Sequence, residues 1–121
     1  MPCGDIMRIV HITINTADLE KSLAFYQDIM EMKIQRDMRQ LGRPIVFLTD
    51  SADGTCVELI ENPEQPYNGA GLSIGFHVDD VESAHKLMME KGLKPTPMTS
   101  PNPGTKFFFV NDPNGVRIQF I

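Results

Sequence analysis

Ser51-Ala-Asp-Gly-Thr-Cys-Val-Glu-Leu-Ile60 and Asp112-Pro-Asn-Gly-Val-Arg-Ile-Gln-Phe-Ile121 close the two halves of this chain alike. Each has a turn glycine, and Glu58 and Gln119 follow it at the same spacing. The halves also open alike. Short apolar strands at 9–14 and 72–78 lead into acidic helix starts, Asp18-Leu19-Glu20 and Asp80-Val81-Glu82. A repeat that sets His11, Glu58 and Gln119 at corresponding strand positions predicts two modules curling around a shared cavity, with polar groups facing into it.

Within the first half, Val10, Ile12 and Ile14 alternate with His11, Thr13 and Asn15, the period of a strand with one apolar face. Asp18 is placed as an N-cap, and Leu19, Leu23, Tyr26 and Met30 form the stripe of a helix running to about Glu31. Strands are expected at 33–39, 44–48 and 56–60, with turns at Gly42 and Asp53-Gly54. The second half repeats the order. A strand at 72–78 precedes a helix from Asp80 to about Lys91, closed by Gly92 and striped by Val81, Ala84, Leu87 and Met88. Strands follow at 96–99, 106–110 and 116–121, the last after an Asn114-Gly115 turn. Residues 100–104 are read as a loop, because Pro101, Pro103 and Gly104 oppose a ladder. Both halves therefore read βαβββ, an α+β fold, with module 1 at about 7–62, module 2 at about 71–121 and residues 1–121 as a single domain.

At 121 residues, halves of about 60 would each be marginal alone and are expected to share a core. The sequence contains no apolar run near the roughly 20 residues of a membrane span, and no basic stretch leads into an apolar core at the N-terminus. The cytoplasm is the default expectation. Cys3 and Cys56 are expected as free thiols, too few for a disulfide framework. A net charge of −5 without a basic cluster argues against a nucleic-acid surface.

Read as residues alone, several positions stay open. His11 suits a hydrogen-bonded strand histidine or a ligand. Glu58, between Val57 and Leu59, is an inward carboxylate that needs a partner. Gln119 fits an inert polar position or a ligand. His77 shares strand parity with Ser73 and is expected to line the cavity, whereas His85 is expected to face solvent. Cys56 reads as a small buried hydrophobe, and Phe107 and Phe109 as pocket lining or core.

The paired βαβββ modules, the run His11-Ile-Thr-Ile-Asn-Thr-Ala-Asp-Leu-Glu-Lys-Ser-Leu-Ala-Phe-Tyr26, Gly54-Thr-Cys-Val-Glu-Leu-Ile60, Val78-Asp-Asp80 and Asp112-Pro-Asn-Gly115 resemble the vicinal oxygen chelate superfamily. That superfamily includes glyoxalase I, bleomycin-resistance proteins and extradiol dioxygenases. The resemblance spans essentially the whole chain. It implies a curved sheet around a cavity, a small-molecule substrate or ligand, and a homodimer; the charge and hydropathy, for their part, lead to the expectation of no nucleic-acid or membrane partner.

In the metal-dependent members each module is expected to give one ligand from its first strand and one from its last. His11 matches the first, Glu58 the second, and Gln119 takes a place usually filled by Glu. The fourth position falls on Ser73 where the family has His. The resemblance thus implies a divalent ion such as Ni, Co, Zn or Mn on His11, Glu58 and Gln119, with Glu58 as the proton-moving base. Asn62 matches a glutathione-contacting Asn of glyoxalase I, while Asn15 stands where that enzyme places an Arg. With His77 and Ser73, these complete the expected substrate contacts. Two functions follow: a metal-dependent lyase or isomerase resembling glyoxalase I (lactoylglutathione lyase), acting on a small carbonyl or thiohemiacetal, or a metal-free small-molecule binding protein of the bleomycin-resistance type.

Overall fold

A computed structural model describes residues 7–52 and 54–121, so Cys3 and Asp53 of the expected Asp53-Gly54 turn lie outside the described residues. The chain divides into two compact units with the boundary between Pro66 and Tyr67. In the first, β1 (His11–Thr16) is followed by α1 (Leu19–Leu23), β2 (Lys33–Asp37), β3 (Ile45–Thr49) and β4 (Cys56–Glu61). The sheet order is β1-β4-β3-β2, with β1 and β4 parallel and the remaining pairs antiparallel.

Alternation dictates the two faces of this sheet. Ile14, Val46, Leu48, Val57 and Leu59 are buried together with Leu19, Leu23, Phe25 and Tyr26 of the helical segment. Burying each such side chain stabilises by about 1.5–3 kcal/mol, so the apolar parity decides which face is covered. Asp18 caps α1 as expected, its side chain accepting from the Lys21 amide. The helix does not run on regularly to Glu31. It widens into a π-helical stretch, Ala24–Ile29, and Glu31 then turns back with φ of 58°. Bonds from the Met30 amide to the Phe25 carbonyl and from Met32 to Tyr26 show the wider turn, which 3.6-residue periodicity does not anticipate.

The second unit holds β5 (Ser73–Phe76), α2 (Val81–Glu90), β6 (Thr99–Asn102), β7 (Thr105–Asn111) and β8 (Arg117–Phe120) in the order β5-β8-β7-β6. Its core is Phe108, Val110, Val116, Ile118, Phe120 and Met88, with Phe108 and Phe120 stacked at 4.8 Å. Asp80 accepts from the Ser83 amide at 3.1 Å and opens α2; Gly92, at φ of 86°, follows its end where a left-handed residue was expected.

Four expectations are corrected here. Leu87 is exposed, and the packed stripe of α2 passes through His85, four residues from Val81 and three from Met88. The imidazole meets Phe108 edge-on at 4.9 Å while its Nε2 donates to the Thr96 carbonyl, so the ring buries its flank and satisfies its polar end. Residues 99–102 form β6, not a loop. Pro101 is tolerated because β6 is the sheet edge and its pairing to β7 shifts register between Thr99 and Asn102. Of the strand expected at 96–99 only Thr99 lies in a strand, as the first residue of β6; Thr96 stands before it, with its amide bonded to the Phe109 carbonyl. Among the described residues no helix is long and apolar enough to cross a membrane.

Candidate active site

The face of the first sheet opposite the helix carries the polar parity of β1: His11, Thr13 and Asn15. Parallel pairing sets His11 beside Cys56, Thr13 beside Glu58 and Asn15 beside Ile60, and antiparallel pairing sets Phe47 on the other side of Glu58. Glu58 is therefore the centre of a row, Thr13–Glu58–Phe47. Its side chain is 12% exposed, against 42% for His11. The Thr13 hydroxyl donates to Glu58 Oε1, and His11 Nε2 lies 3.5 Å from that same oxygen. His11 also stands edge-on to Phe47, with centroids 5.7 Å apart. Oε2 has no hydrogen-bond partner among the described residues. One carboxylate oxygen is thus held by β1 while the other is free to act.

Asn62 follows β4. Its amide bonds the Thr16 carbonyl and its Oδ1 accepts from the Gln65 amide, leaving the side-chain NH2 as the available group. Asn15 is half-buried in mid-strand.

The second unit repeats the row with different chemistry. Gly75 stands beside Gln119, and Phe109 flanks Gln119 on the other side, in the places of Thr13, Glu58 and Phe47. A Cβ on Gly75 would come within 3.4 Å of Gln119 Oε1, so the amide lies over the glycine. Ser73 pairs with Arg117, as His11 pairs with Cys56. The equivalence of Ser73 with His11 therefore holds in strand register. His77 lies beyond β5, which ends at Phe76; its side chain is 80% exposed, and Nε2 sits 3.3 Å from Asp79 Oδ1. It belongs to the turn before α2, not to the strand face expected from its parity.

Among the described residues no three His, Cys, Asp or Glu side chains converge. What the first unit offers is a nitrogen and a carboxylate oxygen 3.5 Å apart. Two metal bonds of about 2.1 Å at a tetrahedral angle span about 3.4 Å, so this pair suits neighbouring positions on one divalent ion. In the second unit, taken by itself, Gln119 carries an amide oxygen, a hard donor, and Ser73 only a neutral hydroxyl with a guanidinium-bearing neighbour. Thr13, Phe47 and Arg117 were not singled out by the sequence reading. Parity alone could have marked Thr13, one step along the face from His11, but its pairing with Glu58 is a matter of register.

Residues 8–120 match the family described as Glyoxalase/Bleomycin resistance protein/Dioxygenase superfamily. A lactoylglutathione lyase of Neisseria meningitidis is 32% identical across 95% of this chain and 90% of its own length. One from Haemophilus influenzae is 29% identical, covering 95% and 92%. Among solved structures, the trypanothione-dependent glyoxalase I of Leishmania major superposes with a TM-score of 0.73 at 26% identity, over 96% of this chain and 86% of that one. An antibiotic-binding protein from a Streptomyces species reaches 0.77 at 20% identity, over 96% and 95%, a likeness of fold.

Proposed function

The chain belongs to the Glyoxalase/Bleomycin resistance protein/Dioxygenase superfamily, and from that membership we propose that it is a metal-dependent lyase or isomerase of the glyoxalase I type, acting on a small carbonyl or thiohemiacetal substrate. The observation that carries the reading is the divided carboxylate of Glu58, with Oε1 anchored by Thr13 beside His11 and Oε2 unengaged among the described residues. A divalent ion such as Ni, Co, Zn or Mn, held in the first unit by His11 Nε2 and Glu58, would polarise a substrate carbonyl oxygen and acidify the neighbouring C–H.

The protein's own residues supply the proton step. Oε2 of Glu58 accepts the proton from one carbon and returns it to the adjacent one, so the carboxylate is regenerated and the net change is an isomerisation. Gln119 cannot share this task, since an amide has no proton-accepting site of comparable basicity. Thr13 keeps the carboxylate aimed, and the bulk of Phe47 limits water on its flank. The Asn62 side-chain NH2, just past β4, and Asn15, in mid-β1, are assigned to substrate positioning in the first unit.

The test is turnover of two hemithioacetals of methylglyoxal, one formed with glutathione and one with N-acetylcysteine, by protein loaded with each of the four ions. At least one pair of ion and substrate should turn over, and Glu58→Gln should lower kcat by roughly 10²–10⁴-fold. No turnover with either substrate, or an unchanged rate in Glu58→Gln, overturns the reading.

One observation favours a second function. Arg117 beside Ser73 places a cation where the metal-dependent pattern has a ligand row, which suits a metal-free small-molecule binding protein of the bleomycin-resistance type. Protein purified without metal, showing no response to any of the four ions, would support that alternative.

A further inference from the structure

One strand row from Gln119, on the same face of the second sheet, Ser73, Arg117 and Asn111 lie side by side. Beside them opens a cavity of about 350 Å³ whose lining includes Gly69, Gly71, Lys94, Thr96, Phe109 and Arg117. Two cations and no carboxylate line it, in a chain of net charge −5. Neither cation is ion-paired among the described residues. Asp112, the carboxylate nearest to Arg117 in sequence, is buried; its Oδ1 accepts from the Asn114 and Val116 amides and its Oδ2 from Asn114 Nδ2. It is therefore occupied in holding the β7–β8 turn.

The Arg117 guanidinium lies over the Phe109 ring, 4.0 Å from its centroid. That contact shields one face of the group and fixes it in place, leaving its N–H edge as the part still able to bind. A guanidinium edge presents parallel donors that match the two oxygens of a carboxylate or phosphate, and Lys94 adds a compact second charge. The volume lies near the lower end of the roughly 300–1,000 Å³ usual for small-molecule pockets. The comparison of the units points the same way. The row that carries His11 and Cys56 in the first unit carries Ser73 and Arg117 in the second, so a position suited to a metal donor has become one that repels a metal and attracts an anion.

We propose that Arg117 and Lys94 form an oxyanion subsite in the second unit, which takes the carboxylate or phosphate of a small molecule. The strand spacing places it about 7 Å along the sheet from Gln119. The subsite stands on the second unit alone and does not require the metal chemistry assigned to Glu58.

The test is a titration of the full chain with inorganic phosphate and, separately, with acetate at constant ionic strength, followed by ¹H–¹⁵N NMR. At least one probe should give saturable shifts at the amides of Gly69, Gly71, Thr96 and Arg117 and at Arg117 Nε. The probe that binds more tightly identifies the oxyanion. Arg117→Gln should weaken binding roughly ten- to hundredfold, and Lys94→Gln by a smaller factor, with both spectra remaining those of a folded protein. Absence of saturable shifts with both probes, or equal affinity in folded Arg117→Gln, overturns the proposal. Neither outcome depends on turnover.

Discussion

Removing Glu58 should abolish stabilisation by metal, and the size of the loss follows from the site. With His11 Nε2 and Glu58 Oε1 3.5 Å apart, the first unit contributes one neutral and one anionic donor, and most of the electrostatic attraction for a dication resides in Glu58. An ion present at 100 times its dissociation constant adds about 2.7 kcal/mol to the folded state. For 121 residues, an unfolding entropy of about 2.1 cal/mol/K per residue gives about 0.25 kcal/mol per degree, so the melting temperature should rise by about 11 °C in a single transition. If Glu58→Ala weakens binding by about 100-fold, the same ion concentration adds only about 0.4 kcal/mol, less than about 2 °C. His11→Ala should behave similarly. The assay is differential scanning calorimetry of chelated protein, wild type and both variants, with and without each of Ni²⁺, Co²⁺, Zn²⁺ and Mn²⁺. A wild-type shift that survives intact in both variants would refute the ligand assignment. So would the absence of any shift in the wild type.

Thr13→Val keeps a β-branched residue on an exposed strand position and deletes the hydroxyl that orients Glu58. The melting temperature without metal should change little, while metal affinity, read by calorimetric titration, falls roughly tenfold; unchanged affinity would show that the hydroxyl does not position the carboxylate. Asp80 accepts from the Ser83 amide, and this bond holds its carboxyl below the usual 3.8. Because the folded-state value is depressed, the stabilisation is complete above the unfolded value and fades as pH falls through the folded one. Asp80→Ala should therefore melt below wild type at neutral pH, with the gap closing under acid conditions below about pH 4. A gap independent of pH would remove the charge from the explanation.

The two halves differ in how their chemistry could be read. Alternation along Val10–Asn15 already separated a buried face from a polar one, and the acidic caps Asp18 and Asp80 and the glycines at 92 and 115 marked where helices and turns end. These are local properties: side-chain period and backbone φ belong to a few consecutive residues, so the amino-acid order expresses them directly. His85 shows the boundary of that reading. On a helical wheel it is one polar residue among others, and only the position of Phe108 and the Thr96 carbonyl makes it part of the packing.

The sequence by itself determined the duplicated βαβββ order, the α+β class, the faces of the strands, and the candidacy of His11, Glu58 and Gln119. Tertiary structure decided what touches what. Parallel pairing of β1 with β4, 45 residues apart at Thr13 and Glu58, delivers the hydroxyl to the carboxylate. The equivalent pairing in the second unit replaces that contact with a glycine under an amide and sets Arg117 beside Ser73. The edge position of β6 let Pro101 join a ladder that the chain order argued against. Register, edge and cross-strand neighbours are relations between distant segments. They are selected by burying two apolar faces at once, and no single stretch of sequence contains that condition.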